Sequence, residues 1–306
     1  MQLAIMTEPQ LGGCYHDLLE VARWAEKAGC VSFARSDHIY WESDPARAAT
    51  ETFTTLAGLA RDTSTIRLCV LVTPITFRHP AMIAKSAATI DEMSGGRMDL
   101  GVGTGWNDLE HRAFGLEFPE WKQRFARLEE ALGYLRAAFG GGNFQGSYYS
   151  LDAEVLPRPN GLRLIIGGSG PTRTPNLAGR FADEYNHFAG EPAVFTEKLE
   201  VVRQAATKAG RPSPAFSSIG QIIVGRTKTE YRDRLERTAA ARGRRPDEHE
   251  RIVREAYLPT GSPEEVAARL AEYEAIGISK WYLQWFDLGD RRTLFDTAET
   301  ILSMIG

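Results

Sequence analysis

The feature that most constrains this chain is a regular alternation of short apolar runs with longer amphipathic stretches. The run Ile66–Val72 is continuous, which is typical of a parallel strand that is covered on both faces. Parallel strands need crossover connections, and repeated strand–helix units close most simply into a barrel. We therefore predict an α/β fold, a (β/α)₈ TIM barrel, with a doubly wound open sheet as the structural alternative.

Eight strands are expected, each followed by a helical stretch. Glycine, proline and serine mark the helix ends: Gly29 ends the first helix, Pro80 begins the helix after strand three, and Ser262 caps the helix before strand eight. The predicted strands are Leu3–Met6, Val31–Arg35, Ile66–Val72, Arg97–Val102, Leu162–Ile166, Glu184–Phe188, Ser218–Val224 and Ile278–Gln284.

Residues 140–160 interrupt the alternation. They contain three consecutive glycines, two adjacent tyrosines and two prolines, a composition that favours turns. We predict a hairpin-like insertion before strand five. The length of 306 residues is close to that of one barrel with an insertion, so a single domain covering residues 1–306 is expected.

Composition disfavours several classes of protein. The formal net charge is −4, whereas nucleic-acid binding needs a basic face. No segment has enough uninterrupted apolar length to cross a bilayer. Cys14, Cys30 and Cys69 share no metal-binding spacing and cannot form a full set of disulfides, which fits a reducing cytosol. We expect a cytoplasmic enzyme with a small-molecule substrate and no nucleic-acid or membrane partner.

Polar residues and glycines follow the predicted strands. Because barrel active sites lie at the carboxyl ends of the strands, these residues should meet on one rim. Asp37 and His38 follow strand two, and a histidine donates or accepts a proton near neutral pH. We predict acid–base chemistry for this pair, with a hydrogen-bonded loop histidine as the alternative. The spacing of His, Asp and Glu residues matches no metal site, so no metal is predicted.

Gly167-Gly168-Ser169-Gly170 stands directly before a predicted helix. Glycines let backbone amides approach a ligand, and a helix amino terminus carries partial positive charge. The run is therefore either a phosphate-binding loop or a plain tight turn. The glycines at 101, 103 and 105 lack the dinucleotide-binding spacing; close approach to a flat ring or packing of the chain would each explain them.

Three tryptophans, Trp41, Trp106 and Trp285, lie in predicted loops or at strand ends. Aromatic side chains at the mouth of a barrel can form the walls of a site for a planar ligand. For each tryptophan the alternative is packing beneath a loop. We predict all three as substrate-pocket residues.

Over almost its whole length the sequence resembles the bacterial-luciferase-like flavin and deazaflavin oxidoreductases. Each matching motif by itself is unspecific, but the combination is specific for this family. The resemblance is carried by Ser36-Asp37-His38, Val72–Pro80, Ser94–Arg97, Leu100–Asn107, Ile166–Gly170 and Ala182–Asn186.

This resemblance implies a barrel that holds a flavin-type ring in its mouth, and it looks closest to members that use coenzyme F420, an 8-hydroxy-5-deazaflavin. Asp37 and His38 would lie at the ring, where His38 would contact or protonate the reacting pair as hydride moves. The family often has a non-prolyl cis peptide on strand three, for which Val70–Leu71 is the candidate bond. Further cofactor contacts are implied for Val70, Leu71, Thr73, Gly103, Thr104, Gly167, Gly168, Ser169, Gly170 and Asn186.

The sequence departs from one branch of that family. Sugar-phosphate dehydrogenases carry a glutamate where this chain has Trp106, and their basic residues for the substrate phosphate have no match here. The tryptophan indicates a more apolar or aromatic substrate than glucose 6-phosphate.

The predicted function is that of a coenzyme F420-dependent oxidoreductase, which moves a hydride between the deazaflavin and an unidentified small organic substrate. The alternative is an FMN-dependent luciferase-like monooxygenase. A non-catalytic binding protein on a barrel scaffold is disfavoured, because a proton-capable pair, a glycine loop and aromatic residues are expected on one rim. Family members commonly dimerise, so the resemblance implies a homodimer.

Overall fold

The fold is a closed barrel of eight parallel strands, given by a computed structural model that describes residues 1–41 and 49–305. The strands are β1 (Gln2–Thr7), β2 (Ser32–Arg35), β3 (Arg67–Pro74), β4 (Met98–Gly103), β5 (Arg163–Gly167), β6 (Glu184–Phe188), β7 (Ala215–Gly220) and β8 (Lys280–Trp285). Each strand pairs with the next along the chain, and β8 closes the ring against β1. The predicted (β/α)₈ barrel is confirmed.

Helices surround the barrel, and local capping explains where several of them begin or end. Gly29 has a left-handed φ of 87° after the first helix, and Ser262 and Glu265 form a reciprocal capping box. None of the helices in the described ranges combines the length and apolarity that a membrane span requires. The helices are α1 (Tyr15–Ala28), α2 (Thr52–Asp62), α3 (Pro80–Ser94), α4 (Asp108–Ala113), α5 (Trp121–Gly140), α6 (Arg173–Phe181), α7 (Pro192–Lys208), α8 (Lys228–Ala241), α9 (Pro246–Glu255), α10 (Pro263–Ala275) and α11 (Arg291–Ile305).

The seventh strand differs from its predicted range. Strand β7 ends at Gly220, and Ile223–Val224 leaves the barrel to pair with Thr260–Gly261. Strand β7 pairs with β6 from Ala215 to Ile219 and with β8 from Ser217 to Gly220, and neither pairing extends beyond Gly220. The apolar run continues past that exit, so hydrophobicity alone did not reveal it.

The insertion before β5 is a short hairpin. Phe144–Gln145 pairs antiparallel with Ser150–Leu151, as the glycines and tyrosines of this segment predicted. Phe144 and Leu151 pack against the layer between barrel and helices. The insertion is thus anchored to the outer wall, away from the barrel axis.

Side chains of the strands feed two apolar cores. Because successive residues of a strand point to opposite faces, one set fills the barrel and the other packs under the helices. The outer layer is the larger and includes Leu100, Ile166 and Leu283. The barrel interior holds Ala4, Met6, Ala34, Cys69, Leu71, Ile165, Ile219 and Tyr282.

The amino-terminal end of the barrel is closed by buried charge. Asp99 is fully buried and accepts hydrogen bonds from Arg67 Nε at 2.9 Å and from Arg163 Nε at 2.8 Å. Beside it, Lys280 Nζ lies 2.5 Å from Glu184 Oε2. We call these five residues the floor cluster. Since barrel active sites occupy the opposite end, the floor cluster belongs to the stability of the fold.

Candidate active site

A cavity of about 370 Å³ opens at the carboxyl ends of the strands, opposite the floor cluster. We call this end the mouth. Among the described residues, no group of three or more His, Cys, Asp or Glu side chains is arranged to hold a metal ion. Of the residues that the sequence placed in the site, the cavity is lined by Asp37, His38, Leu71, Gly103, Thr104, Trp106, Gly167, Gly168, Ser169 and Asn186.

Asp37 is held by an arginine that the sequence analysis did not include in the site. Its side chain is 1% exposed, and both carboxylate oxygens accept hydrogen bonds from the guanidinium of Arg78. Arg78 also bonds Glu51 Oε1 at 2.6 Å. The negative charge of Asp37 is therefore balanced from behind the cavity wall, because Arg78 itself does not line the cavity.

His38 forms a close pair with Glu110, 72 residues along the chain. The distance from His38 Nδ1 to Glu110 Oε2 is 2.8 Å, and Glu110 is 1% exposed. Burial alone would lower the pKa of the His38 imidazole, but the hydrogen bond and charge of Glu110 outweigh it and raise that pKa. The ring of Trp106 meets His38 edge-on at 5.4 Å between centroids. The protonated imidazole is thus stabilised on the cavity wall.

Glu110 also orders the loop that follows β2. Its Oε1 accepts hydrogen bonds from the amides of Ile39 at 2.5 Å and Tyr40 at 3.0 Å. A buried carboxylate with two amide donors and one imidazole has its hydrogen-bonding capacity largely used. Glu110 therefore sets both the position of His38 and the path of the chain after it.

Helix α4, which carries Glu110, was missed by the sequence analysis. It has six residues, too few for apolar periodicity to appear. A local signal was available: Asn107 caps the helix by accepting from the Glu110 amide at 3.3 Å, and Asn with Glu three residues later resembles a capping box.

His111 anchors the same helix to the loop after β3. Its Nε2 lies 2.7 Å from Thr76 Oγ1 and its Nδ1 lies 2.6 Å from the carbonyl oxygen of Asn107. Because a carbonyl only accepts, Nδ1 carries the proton and Nε2 accepts from the threonine hydroxyl. His111 is 1% exposed and lines the cavity. With Glu110 and His111, α4 connects the loops after β2, β3 and β4.

The glycine run after β5 lies between the mouth and the amino terminus of α6. Gly168 has a φ of +150°, which a residue with a side chain rarely adopts. Within the described chain, the amides of Ser169 and Gly170 donate to no other residue. Free amides beside a helix amino terminus are suited to an anionic group.

A lysine supports this glycine run from α7. Lys198 Nζ donates to the carbonyl oxygen of Ser169 at 3.1 Å and lies 2.7 Å from His187 Nε2. Burial, together with the charge of Lys198, lowers the pKa of His187 to about 4. His187 is therefore neutral near pH 7 and accepts from the ammonium group. Sequence reasoning missed Lys198 because it is one of many charged residues on an amphipathic helix.

The glycines around Gly103 are explained by packing of the chain. A Cβ atom on Gly103 would lie 2.9 Å from Val72 Cγ2, and one on Gly167 would lie 2.9 Å from Val72 Cγ1. The predicted cis peptide at Val70–Leu71 is wrong by one residue, since the cis bond joins Leu71 to Val72. The register of β3 against β4 shifts between Val70 and Thr73, which sequence alone did not show.

Three residues predicted to contact the cofactor lie off the cavity wall. Val70 packs in the layer beneath the helices, because the alternation of β3 turns it away from the barrel axis. Thr73 Oγ1 accepts from Arg78 Nη1 at 3.3 Å, and Gly170 packs against Thr174. These three residues therefore do not line the cavity, and their contact with a cofactor stays a prediction.

Two of the three predicted pocket tryptophans also lie elsewhere. Trp285 is 5% exposed, packs in the outer layer and donates from Nε1 to the carbonyl oxygen of Asp287. Its neighbour Gln284 faces the cavity instead, because adjacent strand residues point in opposite directions. Trp41 is half-buried next to the undescribed residues 42–48 and does not line the cavity. Trp106 lines it.

Glu8 is a further carboxylate at the mouth. It follows β1, is 6% exposed and lines the cavity. Its oxygens accept from Gln10 Nε2 at 2.9 Å and from Gln284 Nε2 at 2.6 Å. Both partners are neutral amides, so the carboxylate is held in place while its charge has no ion-pair partner within the described chain.

These residues fit a cofactor that combines a flat ring with a phosphorylated chain. Leu71 and Val72 supply an apolar wall, and the amides at Ser169 and Gly170 supply free donors for an anion. Asn186 also lines the cavity, with its Nδ2 donating to Ser217 Oγ at 2.9 Å. His38 lies on the wall of the same cavity.

Comparisons with known proteins agree with this geometry. A Microbacterium testaceum protein named F420-dependent glucose-6-phosphate dehydrogenase is 32% identical over 288 residues, which cover 86% of this chain and 85% of that protein. A Nakamurella multipartita protein of the same name is 37% identical over 68% of this chain and 63% of its own length.

The structure of an F420-dependent secondary alcohol dehydrogenase, determined with an F420-acetone adduct, has the same fold. It superposes with a TM-score of 0.83 at 21% identity and covers 100% of this chain and 99% of its own. The sequence model of the luciferase-like monooxygenase family matches residues 1–280. On that match and on the relatives above, this chain belongs to the luciferase-like monooxygenase family.

Proposed function

We propose that this chain is a coenzyme F420-dependent oxidoreductase that transfers a hydride between the deazaflavin and a small organic substrate. The observation that carries the proposal is that the His38–Glu110 pair and the glycine run after β5 face one cavity. The relatives named for F420 dependence support the same cofactor.

The residues of the mouth have distinct roles toward this cofactor. When bound, coenzyme F420 supplies two-electron hydride chemistry through its deazaflavin ring. The amides of Ser169 and Gly170 would hold its phosphate, although Gly170 lies off the cavity wall. Leu71 and Val72 would pack behind the ring, while Asp37, Gly103, Thr104 and Asn186 would contact the cofactor from the cavity wall.

His38 would move the proton that accompanies the hydride. Its Nδ1 is bonded to Glu110, so Nε2 is the ring nitrogen available to a substrate oxygen. In reduction of a carbonyl group, the protonated imidazole donates to the forming hydroxyl; in oxidation of an alcohol, the neutral imidazole accepts from it. The ring of Trp106 lies against that of His38.

An FMN-dependent monooxygenase is the second candidate. It is favoured by the family to which the chain belongs, whose description is luciferase-like monooxygenase. The two candidates share the fold and differ in cofactor and in the use of oxygen.

Titration of the purified protein with each cofactor tests the proposal. We expect coenzyme F420 to bind more tightly than FMN, measured by quenching of cofactor fluorescence. His38→Ala should lower kcat by about 100-fold or more while cofactor affinity changes little, because general acid–base catalysis contributes that much.

The matched control is His16→Ala, since His16 is exposed on α1 and does not line the cavity. It should leave both affinity and kcat unchanged. Tight FMN binding without measurable affinity for coenzyme F420 would overturn the proposed function in favour of the monooxygenase.

We also propose that the protein is a cytoplasmic homodimer. The resemblance to luciferase-like enzymes supports a dimer, and the composition supports the compartment. Light scattering coupled to size-exclusion chromatography should give twice the mass of 33.9 kDa. A monomer mass at working concentrations would exclude the dimer without affecting the proposed chemistry.

A further inference from the structure

The charges on the cavity wall are unlike those expected for a phosphorylated substrate. Among the lining residues that the structure describes, none is a lysine or an arginine. Three are carboxylates: Glu8, Asp37 and Glu110. A substrate with a phosphate or carboxylate group would therefore meet three acidic side chains and no lysine or arginine.

Two of these three carboxylates are balanced by partners. Asp37 is paired with Arg78, and Glu110 with His38. Glu8 is bonded only to the amides of Gln10 and Gln284. Its charge faces the space in which a substrate would lie, and a like charge placed there is unfavourable.

Three basic side chains interact electrostatically with Glu8 without forming an ion pair with it: Arg35, His38 and Arg242, the last at the end of α8. Burial lowers the pKa of the Arg242 guanidinium. Its Cζ lies 4.2 Å from the centroid of the Phe286 ring, on which it is stacked. Arg242 does not line the cavity, so it moderates the potential of Glu8 without offering a donor to the substrate.

The rim of the same cavity is aromatic. Trp106 and Phe188 line it and are 67% and 52% exposed. They follow β4 and end β6, and so flank the glycine run after β5. Leu109 and Phe114, on and just after α4, are further exposed apolar side chains at 40% and 55% exposure. Exposed apolar surface that borders a cavity is typical of a binding site for an apolar ligand.

From these observations we infer that the substrate of the proposed oxidoreductase is an uncharged alcohol or carbonyl compound with an apolar body, held at Trp106 and Phe188. This inference rests on the proposed function. In the oxidising direction the carbinol carbon gives its hydride to the deazaflavin and its hydroxyl gives its proton to His38, which leaves the carbonyl product and the reduced cofactor. Because both the alcohol and the carbonyl compound are uncharged, neither places a second negative charge beside Glu8.

A matched pair of alcohols tests the inference in the F420-loaded enzyme. Cyclohexanol and 4-hydroxycyclohexanecarboxylate share a ring and a carbinol and differ by one negative charge. We expect kcat/KM for the carboxylate to be lower by at least about tenfold, since juxtaposed like charges are strongly disfavoured. Glucose 6-phosphate, with more negative charge, should be a poorer substrate still.

Two variants test which residues produce this preference for the uncharged alcohol. Glu8→Gln should reduce the difference in kcat/KM between cyclohexanol and 4-hydroxycyclohexanecarboxylate. Glu299→Gln, on the exposed face of α11, should leave that difference unchanged. Trp106→Ala should raise the KM for cyclohexanol more than it lowers kcat, because it removes apolar contact without removing His38.

The outcomes separate this inference from the proposed function. If coenzyme F420 does not bind, the proposed function fails. If it binds and glucose 6-phosphate or the carboxylate is turned over as well as cyclohexanol, only the substrate class is overturned, and loss of that turnover in Arg242→Ala would assign the anion to Arg242. If it binds and cyclohexanol produces neither turnover nor a calorimetric binding signal in the loaded enzyme, the substrate class is likewise overturned.

Discussion

The floor and the mouth of the barrel both bury carboxylates, but they balance them in different ways. At the floor, Asp99 is bonded to Arg67 and Arg163, and Glu184 to Lys280. Each charge of the floor cluster is therefore paired with an opposite charge on another strand. Such clusters seal the end of a barrel, and removing one partner leaves the others buried without compensation.

At the mouth, the groups that balance the carboxylate charges lie behind the cavity wall or are themselves titratable. Arg78 holds Asp37 from outside the cavity, His38 balances Glu110 only when protonated, and Glu8 has neutral partners. The same residue types therefore serve stability at one end and chemistry at the other. The difference is whether the low-dielectric interior pairs every charge or leaves some of them facing a cavity.

The largest expected effect is at the floor. Asp99→Asn removes a fully buried charge that balances two half-buried arginines, so the free energy of unfolding should fall by up to about 3–5 kcal/mol. Urea denaturation measures this change. Asp247→Asn, on exposed α9, is the control and should cost little. A loss below about 1 kcal/mol for Asp99→Asn would show that the floor is not organised by charge.

At the mouth, Glu110→Gln should have a smaller and pH-dependent effect. Because the folded-state pKa of His38 is raised, the pair stabilises the fold below the unfolded value of about 6.5. That contribution is lost as the pH rises through the raised pKa. A hydrogen bond between charged groups contributes about 1.5–3 kcal/mol, so the variant should be destabilised by about this much at pH 5.5 and by less at pH 9.

The same variant should lower the pKa of His38, measured by ¹⁵N-histidine NMR of the cofactor-free protein. The pH above which carbonyl reduction declines should move to lower pH with it, since reduction needs the protonated ring. Glu110→Asp, which keeps the charge, should retain part of the shift. An unchanged His38 pKa in Glu110→Gln would show that the pair does not govern protonation.

Packing at the mouth offers a third test. Gly103→Ala places a methyl group 2.9 Å from Val72 Cγ2, and overpacking of this kind costs about 1–3 kcal/mol. The double variant with Val72→Ala should recover most of the loss in a thermal denaturation series. No recovery would mean that Val72 is not the reason for glycine at this position.

The smallest expected effect concerns the support of the glycine run. Lys198→Ala removes the hydrogen bond to the Ser169 carbonyl oxygen, which is worth about 1 kcal/mol, or roughly a fivefold rise in Kd for coenzyme F420. Lys208→Ala, at the exposed end of α7, is the control. Equal affinities in the two variants would indicate that Lys198 supports only the fold.

Much of the site was predictable because its residues follow strands directly. Asp37, His38, Gly103 and Gly167 reach the cavity as expected of the carboxyl ends of parallel strands. Glu110 was not predicted as a site residue, because its helix is short and its partner is 72 residues away. Trp285 was misplaced since composition does not show which face of β8 turns toward the barrel axis.

By itself, the sequence determined the eight strand–helix units, the helix caps and the end of the barrel at which chemistry is placed. These features depend on contacts within a few residues and on the fixed direction of a parallel strand. Only the tertiary structure decided that Glu110 positions His38 and raises its pKa, and that Arg78 neutralises Asp37 from outside the cavity. It also decided that Glu8 has no ion-pair partner within the described chain. Such pairings form when barrel closure brings distant loops together, and their strength depends on burial, which no local pattern encodes.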